Sequence, residues 1–158
     1  MTQPVEHEPR AWQVALVDDD ASLLRALSRI LTVSGYAVSA FSSGSTFLES
    51  LDVAPPEILV VDLWLPGLNG LAIQAAIHDR ALRIPIVFLT GCADVTSSKE
   101  AIRGGAIDFL EKPCDVRTLH ASLERATTAV RREREEASTV SALALVDAAP
   151  AAAAARPD

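Results

Sequence analysis

EILVVDLWLPGLNG, residues 57–70, combines a strand, an acid and a turn. After its first residue the run Glu57–Val61 is continuously apolar and of strand length. Unbroken apolar character, rather than alternation, predicts a strand covered on both faces, as in a parallel sheet. The strand stops at a carboxylate, Asp62. Pro66-Gly67-Leu68-Asn69-Gly70 has turn chemistry, and a helix through Ile73 and Ile77 follows.

The same unit repeats on either side. Upstream, Gln13–Val17 stops at Asp18-Asp19-Asp20. Leu23, Leu24, Leu27, Ile30 and Leu31 then recur at the three- and four-residue steps of one helix face. Asp20 or Ser22 is positioned to cap that helix, and Gly35 ends it. Tyr36–Phe41 suits a second strand, Gly44–Leu51 a short helix with Phe47, Leu48 and Leu51 inward, and Pro55-Pro56 a break. Downstream, Ile86–Leu89 ends at Thr90-Gly91, and Ser97–Arg103 reads as a helix stopped by Gly104-Gly105. Ile107–Leu110 is a fifth strand ending at Glu111-Lys112-Pro113. A last helix starts near Asp115 and presents Leu119, Leu123, Ala126 and Val130. Five strand–helix units predict an α/β fold, a doubly wound five-stranded parallel sheet with helices on both faces. Residues 1–12 read as an N-terminal extension, 13–136 as one domain, and 137–158 as a low-complexity tail expected to be disordered. The run RREREE (131–136) is expected to be a solvated helix end. Its Arg131–Glu135 and Arg132–Glu136 pairs run in the less favourable order.

Composition narrows the function. Apolar residues make up 49% of the 158, enough for a core, and the net charge is −7. That acidity argues against a broad basic surface for nucleic acid or anionic membrane. The polar, acidic start MTQPVEHEPR lacks the pattern of a signal peptide, and the apolar runs are too short to cross a bilayer. A cytoplasmic protein is expected. Cys92 and Cys114 form no metal-ligand or redox pattern by spacing.

In open parallel sheets, ligands sit beyond the carboxyl ends of the strands. Read there in order are Asp18 and Asp19, then Asp62, Thr90 and Lys112. Three carboxylates in one crevice repel one another unless a cation is present. Such a set suits a hard divalent ion, and magnesium typically combines one or two carboxylates with waters and phosphate oxygens. A lysine and a hydroxyl beside it complete a phosphoryl site. Asp62 is then the nucleophile, and Asp19, Asp62 and a backbone carbonyl hold Mg2+. A carboxylate is ionised at neutral pH, so no general base is required.

Taken together, LVDDD (16–20), VVDLWLPGLNG (60–70), IVFLTG (86–91) and DFLEKP (108–113) resemble the receiver domain of bacterial two-component response regulators. The likeness covers about residues 13–130. FLTGCADV, GAIDFLEKP and AFSSGSTFL are most similar to the FixJ-type subfamily, in which a LuxR-type helix-turn-helix follows the receiver. The resemblance implies a flavodoxin-like (βα)5 receiver fold and phosphorylation of Asp62. Asp19 is the implied direct metal ligand, with Asp18 acting through water and Trp64 lending its backbone carbonyl. Thr90 and Phe109 match the pair that reorients on phosphorylation. Lys112 binds the phosphoryl oxygen, and its bond to Pro113 is expected to be cis. Implied partners are a sensor histidine kinase or phosphotransfer protein, an unknown output protein, and a second copy in a phosphorylation-dependent homodimer.

Some features depart from that pattern. No helix-turn-helix is legible after residue 136, so direct DNA binding is not expected. A single-domain regulator signalling by protein contact is the leading expectation. A receiver fragment of a LuxR-type regulator and a phosphate sink are the alternatives. An aspartyl-phosphate phosphatase needs a second acid two residues after its nucleophile, and here that position is Trp64. The chain is therefore expected to be no enzyme beyond its own phosphorylation and hydrolysis. Trp64 and Cys92 flank the acceptor, which predicts slow loss of the phosphoryl group. Cys114 stands where the family usually has an aromatic residue, which predicts looser packing beneath the last helix. Asp20 reads only as a helix cap.

Overall fold

The computed structural model describes residues 10–92 and 94–148. Five strands, β1 (Gln13–Val17), β2 (Ala37–Phe41), β3 (Ile58–Val61), β4 (Ile86–Thr90) and β5 (Asp108–Glu111), alternate with five helices. The helices are α1 (Ala21–Val33), α2 (Gly44–Leu51), α3 (Gly70–Asp79), α4 (Val95–Arg103) and α5 (Val116–Asp147). All strand pairings are parallel and the order is β2-β1-β3-β4-β5, the doubly wound flavodoxin-like arrangement expected.

Strand side chains alternate between two cores, which is why the strands read as unbroken apolar runs. Ala15, Val17, Leu59, Val61, Ile86 and Phe88 face α2, α3 and α4 through Phe47, Leu51, Ile73, Ile77 and Ala101. Val14, Leu16, Ile58, Val60, Val87 and Leu89 face α1 and α5 through Leu24, Leu31, Leu119, Leu123 and Ala126. Each fully buried Leu, Ile or Phe contributes about 1.5–3 kcal/mol. The helix starts follow the caps: Asp20 accepts from the N–H groups of Ser22 and Leu23, Asn69 from Ala72, Asp94 from Ser97 and Asp115 from Arg117. Gly35 follows α1 with φ +95, a left-handed turn that glycine adopts freely.

Two expectations are corrected. Residues 137–147, expected to be a structureless tail, continue α5 as helix. The reason is local: no Gly or Pro interrupts the sequence before Pro150, and Ala, Leu and Glu favour helix. The remainder of that tail, 149–158, lies outside the described residues, as does 1–9 of the N-terminal extension. The Arg131–Glu135 and Arg132–Glu136 pairs are absent from the ion pairs formed among the described residues. Arg131 and Arg134 instead lie 5.4 Å from the ring centre of Trp12, and Arg134 pairs with Glu57. An exposed i,i+4 ion pair is worth only a few tenths of a kcal/mol, so an aromatic face and a fixed carboxylate nearby compete with it easily. Element ends differ by a residue or two: β2 starts at Ala37, α4 at Val95 and β5 at Asp108. Among the described residues, no helix is long and apolar enough to cross a membrane.

Candidate functional site

β1 and β3 are neighbours in register, Val17 beside Val61. The chain leaves both strands at the same level, and the Asp62 N–H donates to the Val17 carbonyl at 2.9 Å. Asp18 and Asp62 therefore emerge side by side, at the point where connections from adjacent strands pass to opposite faces of the sheet. A crevice forms there in sheets of this order. Both carboxylates are buried, whereas Asp19 is exposed. Asp18, Asp19 and Asp62 each bring an oxygen within 4.8 Å of the others.

One ammonium serves two of the three acids. Lys112 arrives from the end of β5, where its N–H donates to the Thr90 carbonyl at 2.7 Å and its bond to Pro113 is cis. Its Nζ donates to Asp18 Oδ2 at 2.5 Å and to Asp62 Oδ2 at 3.1 Å. Burial pulls the lysine pKa down, but the hydrogen bonds and charges of Asp18 and Asp62 outweigh it and raise the value above the usual lysine range. The second oxygen of each acid is oriented by backbone. Asp18 Oδ1 accepts from the Asp20 N–H at 2.8 Å, and Asp62 Oδ1 from the Trp64 N–H at 3.2 Å.

The three acids form an all-oxygen set, of which the single lysine neutralises only part. That donor chemistry, with one exposed acid open to water, fits a magnesium ion. Thr90, at the end of β4, is fully buried, and its Oγ1 accepts from the Cys92 N–H at 3.4 Å. Phe109 is half-buried in β5, its ring centre 5.7 Å from that of Phe88. The half-exposed Trp64 bridges the loops after β3 and β4, its Nε1–H donating to the Cys92 carbonyl at 2.9 Å. The Cys92 residue is thus held on both sides, its N–H by Thr90 and its C=O by Trp64. Asp20 contributes a cap. Cys114 is partly buried against the α1–α5 core.

Sequence reasoning missed several supports. A Cβ at Gly70 would lie 2.7 Å from the Asp62 carbonyl and 2.9 Å from Phe88, so only glycine lets α3 approach the acid so closely. Gln74 of α3 is buried and donates to the Ala101 carbonyl at 3.0 Å, tying α3 to α4. Asp108 of β5 accepts from Ser122 at 2.7 Å and pairs with Arg125, fastening α5 to the sheet edge. Only Gly70 left a signal in the sequence, as the last residue of the turn.

The family model for the response regulator receiver domain matches residues 14–124. Nodulation protein W of Bradyrhizobium diazoefficiens is 38% identical over 130 residues, 82% of this chain and 57% of that protein. Among solved structures, FixJ-N superposes with a TM-score of 0.69 at 32% identity, covering 74% of this chain and 94% of that one. Response regulator StyR gives 0.76 at 32% identity, covering 86% of this chain and 69% of that one. The chain spans between 26% and 59% of the length of curated relatives such as these.

Proposed function

The chain belongs to the response regulator receiver family, and we propose that Asp62 is the residue on which it takes a phosphoryl group from a sensor histidine kinase or phosphotransfer protein. The observation that carries this reading is the Lys112 ammonium shared by Asp18 and Asp62. It holds a positive charge where the oxygens of an incoming phosphoryl group would gather.

In the reaction, an Asp62 carboxylate oxygen attacks phosphorus. The bond from phosphorus to the donor's imidazole nitrogen breaks, and the imidazole keeps the electron pair and takes a proton from solvent. Positioning and electrostatics do most of this work. Lys112 shifts from Asp62 Oδ2 to an oxygen of the new acyl phosphate. The Thr90 hydroxyl, which now accepts from Cys92, turns to donate to another. Phe109 follows it inward and alters the face made by α4, β5 and α5, shifting a two-state equilibrium toward a partner-binding form. Asp19, Asp62 and the Trp64 carbonyl, with Asp18 through water, would hold a magnesium ion, which would supply charge neutralisation at the transferring group. Transfer onto Asp62 and hydrolysis of the product are the whole of the chain's own chemistry.

The similarity to FixJ-N and Nodulation protein W supports placement in the FixJ-type subfamily. Output passes through contact with another protein or a second copy of the chain. The test is intact-mass analysis after incubation with acetyl phosphate and magnesium. Wild type gains one phosphoryl group and Asp62→Ala gains none. Equal labelling of both proteins overturns the assignment.

A further inference from the structure

The amino end of the sheet, far from Asp62 along the strands, carries a second charged cluster that phosphoryl transfer does not use. Val130 is the last buried residue of α5, and every described residue from 131 onward is exposed. Burial therefore does little to hold the helical arm 131–147. The arm extends a helix already nucleated by the packed part of α5, so beyond Val130 it gains one backbone hydrogen bond per residue fixed and frays from its free end unless something holds it. Its first turn is nevertheless fastened. Arg131 and Arg134 each place a guanidinium 5.4 Å from the Trp12 ring centre. Arg134 also pairs with Glu57 Oε1, which accepts from Arg10 at 2.7 Å as well. Glu57 Oε2 accepts from the Gln13 N–H at 2.8 Å, and the Glu57 N–H returns a bond to the Gln13 carbonyl at 2.9 Å.

We propose that Arg10, Trp12 and Glu57 form a bracket that grips Arg131 and Arg134 and so holds the arm of α5 helical and pointed in one direction. The arm's order is then under the control of the N-terminal segment. Cation–π contacts contribute about 0.5–1 kcal/mol each at exposed sites, and charge-assisted bonds to a common carboxylate add to them. The bland alternative is a set of surface ion pairs worth almost nothing. The contacts differ from that case in one respect. The Glu57 side chain is only 10% exposed and already fixed by backbone, so Arg134 meets an acceptor that loses little freedom on pairing. The inference rests on no part of the phosphoryl reading.

Hydrogen exchange followed by mass spectrometry on the full chain tests it. In Trp12→Ala and Glu57→Gln, amides of residues 135–142 exchange about tenfold faster than in wild type. Amides of α5 before Val130 keep their protection, which controls for folding. Raising salt to 0.5 M speeds the arm's exchange in wild type and leaves Glu57→Gln unchanged. Unaltered arm exchange in both variants overturns the bracket. So does loss of protection along the whole of α5 together, because the residues would then support the domain and not the arm.

Discussion

The two ends of the sheet treat charge in opposite ways. At the carboxyl end, Asp18, Asp19 and Asp62 cluster around one ammonium, Lys112. At the amino end, one carboxylate, Glu57, is met by Arg10, Arg134 and the Gln13 N–H. An acidic cluster with too few cations keeps a demand for positive charge, which a bound metal cation can satisfy. A carboxylate that already accepts three hydrogen bonds, two of them from guanidiniums, has little such demand left. The first arrangement is suited to receiving a ligand, and the second to holding a chain segment still.

The most severe way to break this contrast is Lys112→Met, which removes the ammonium and leaves three acids. Labelling of Asp62 by acetyl phosphate should slow about 100-fold or more. Magnesium should bind more tightly, because Asp18 and Asp62 lose their competing partner. Labelling rates and a calorimetric titration report the two effects. A fall in both would make Lys112 a structural prop and end the contrast.

Trp64→Ala tests the cover over the receiving end. Without the indole bridge to Cys92, water reaches the acyl phosphate more freely, and the phosphoryl half-life should shorten by roughly three- to tenfold. A half-life of seconds in the unsubstituted protein would show that the indole excludes nothing.

The smallest effect belongs to the amino end. Burial raises the Glu57 pKa, but the Gln13 N–H and the arginines outweigh it and hold the carboxyl below the usual glutamate range. A carboxyl lowered in the folded state stabilises it above the ordinary glutamate value, near 4.3, and loses that contribution as pH falls through the lowered folded value. Glu57→Gln should therefore cost the arm of α5 about 1–2 kcal/mol of local stability at neutral pH, read from amide exchange of residues 135–142, with the denaturant midpoint of the domain unchanged. The gap from wild type should close progressively below about pH 4. A gap that persists to pH 2 would mean that the side chain's shape, and not its charge, does the holding.

The receiving end was far more legible in the sequence than the holding end. Asp18, Asp62 and Lys112 each follow a strand and Thr90 ends one, so strand length and order alone bring them to one edge. Nothing comparable marks the bracket. Glu57 and Arg134 stand 77 positions apart, and their meeting depends on α5 continuing through 131–136 with Arg131 and Arg134 on the side of Trp12. Read locally, RREREE suggests pairing within its own helix, and only the tertiary position of Trp12 decides otherwise. Trp64 is intermediate: its place beside the acceptor follows from spacing, whereas its bond to Cys92 depends on two loop conformations. Gln74 and Gly104 were illegible for a related reason. The glycine leaves room for an amide that packs 2.6 Å from where its Cβ would stand, a fit between two helices that neither sequence segment encodes alone.

The chain has two tryptophans, and the fold sends one to each end. This gives the molecule two intrinsic optical reporters. Trp64 emission should respond to loop opening around the acceptor, and Trp12 emission to departure of the guanidiniums that quench or polarise its ring. Single Trp→Phe proteins would separate the signals. The timing of events at opposite ends of the sheet then becomes readable in one stopped-flow trace, with no label attached.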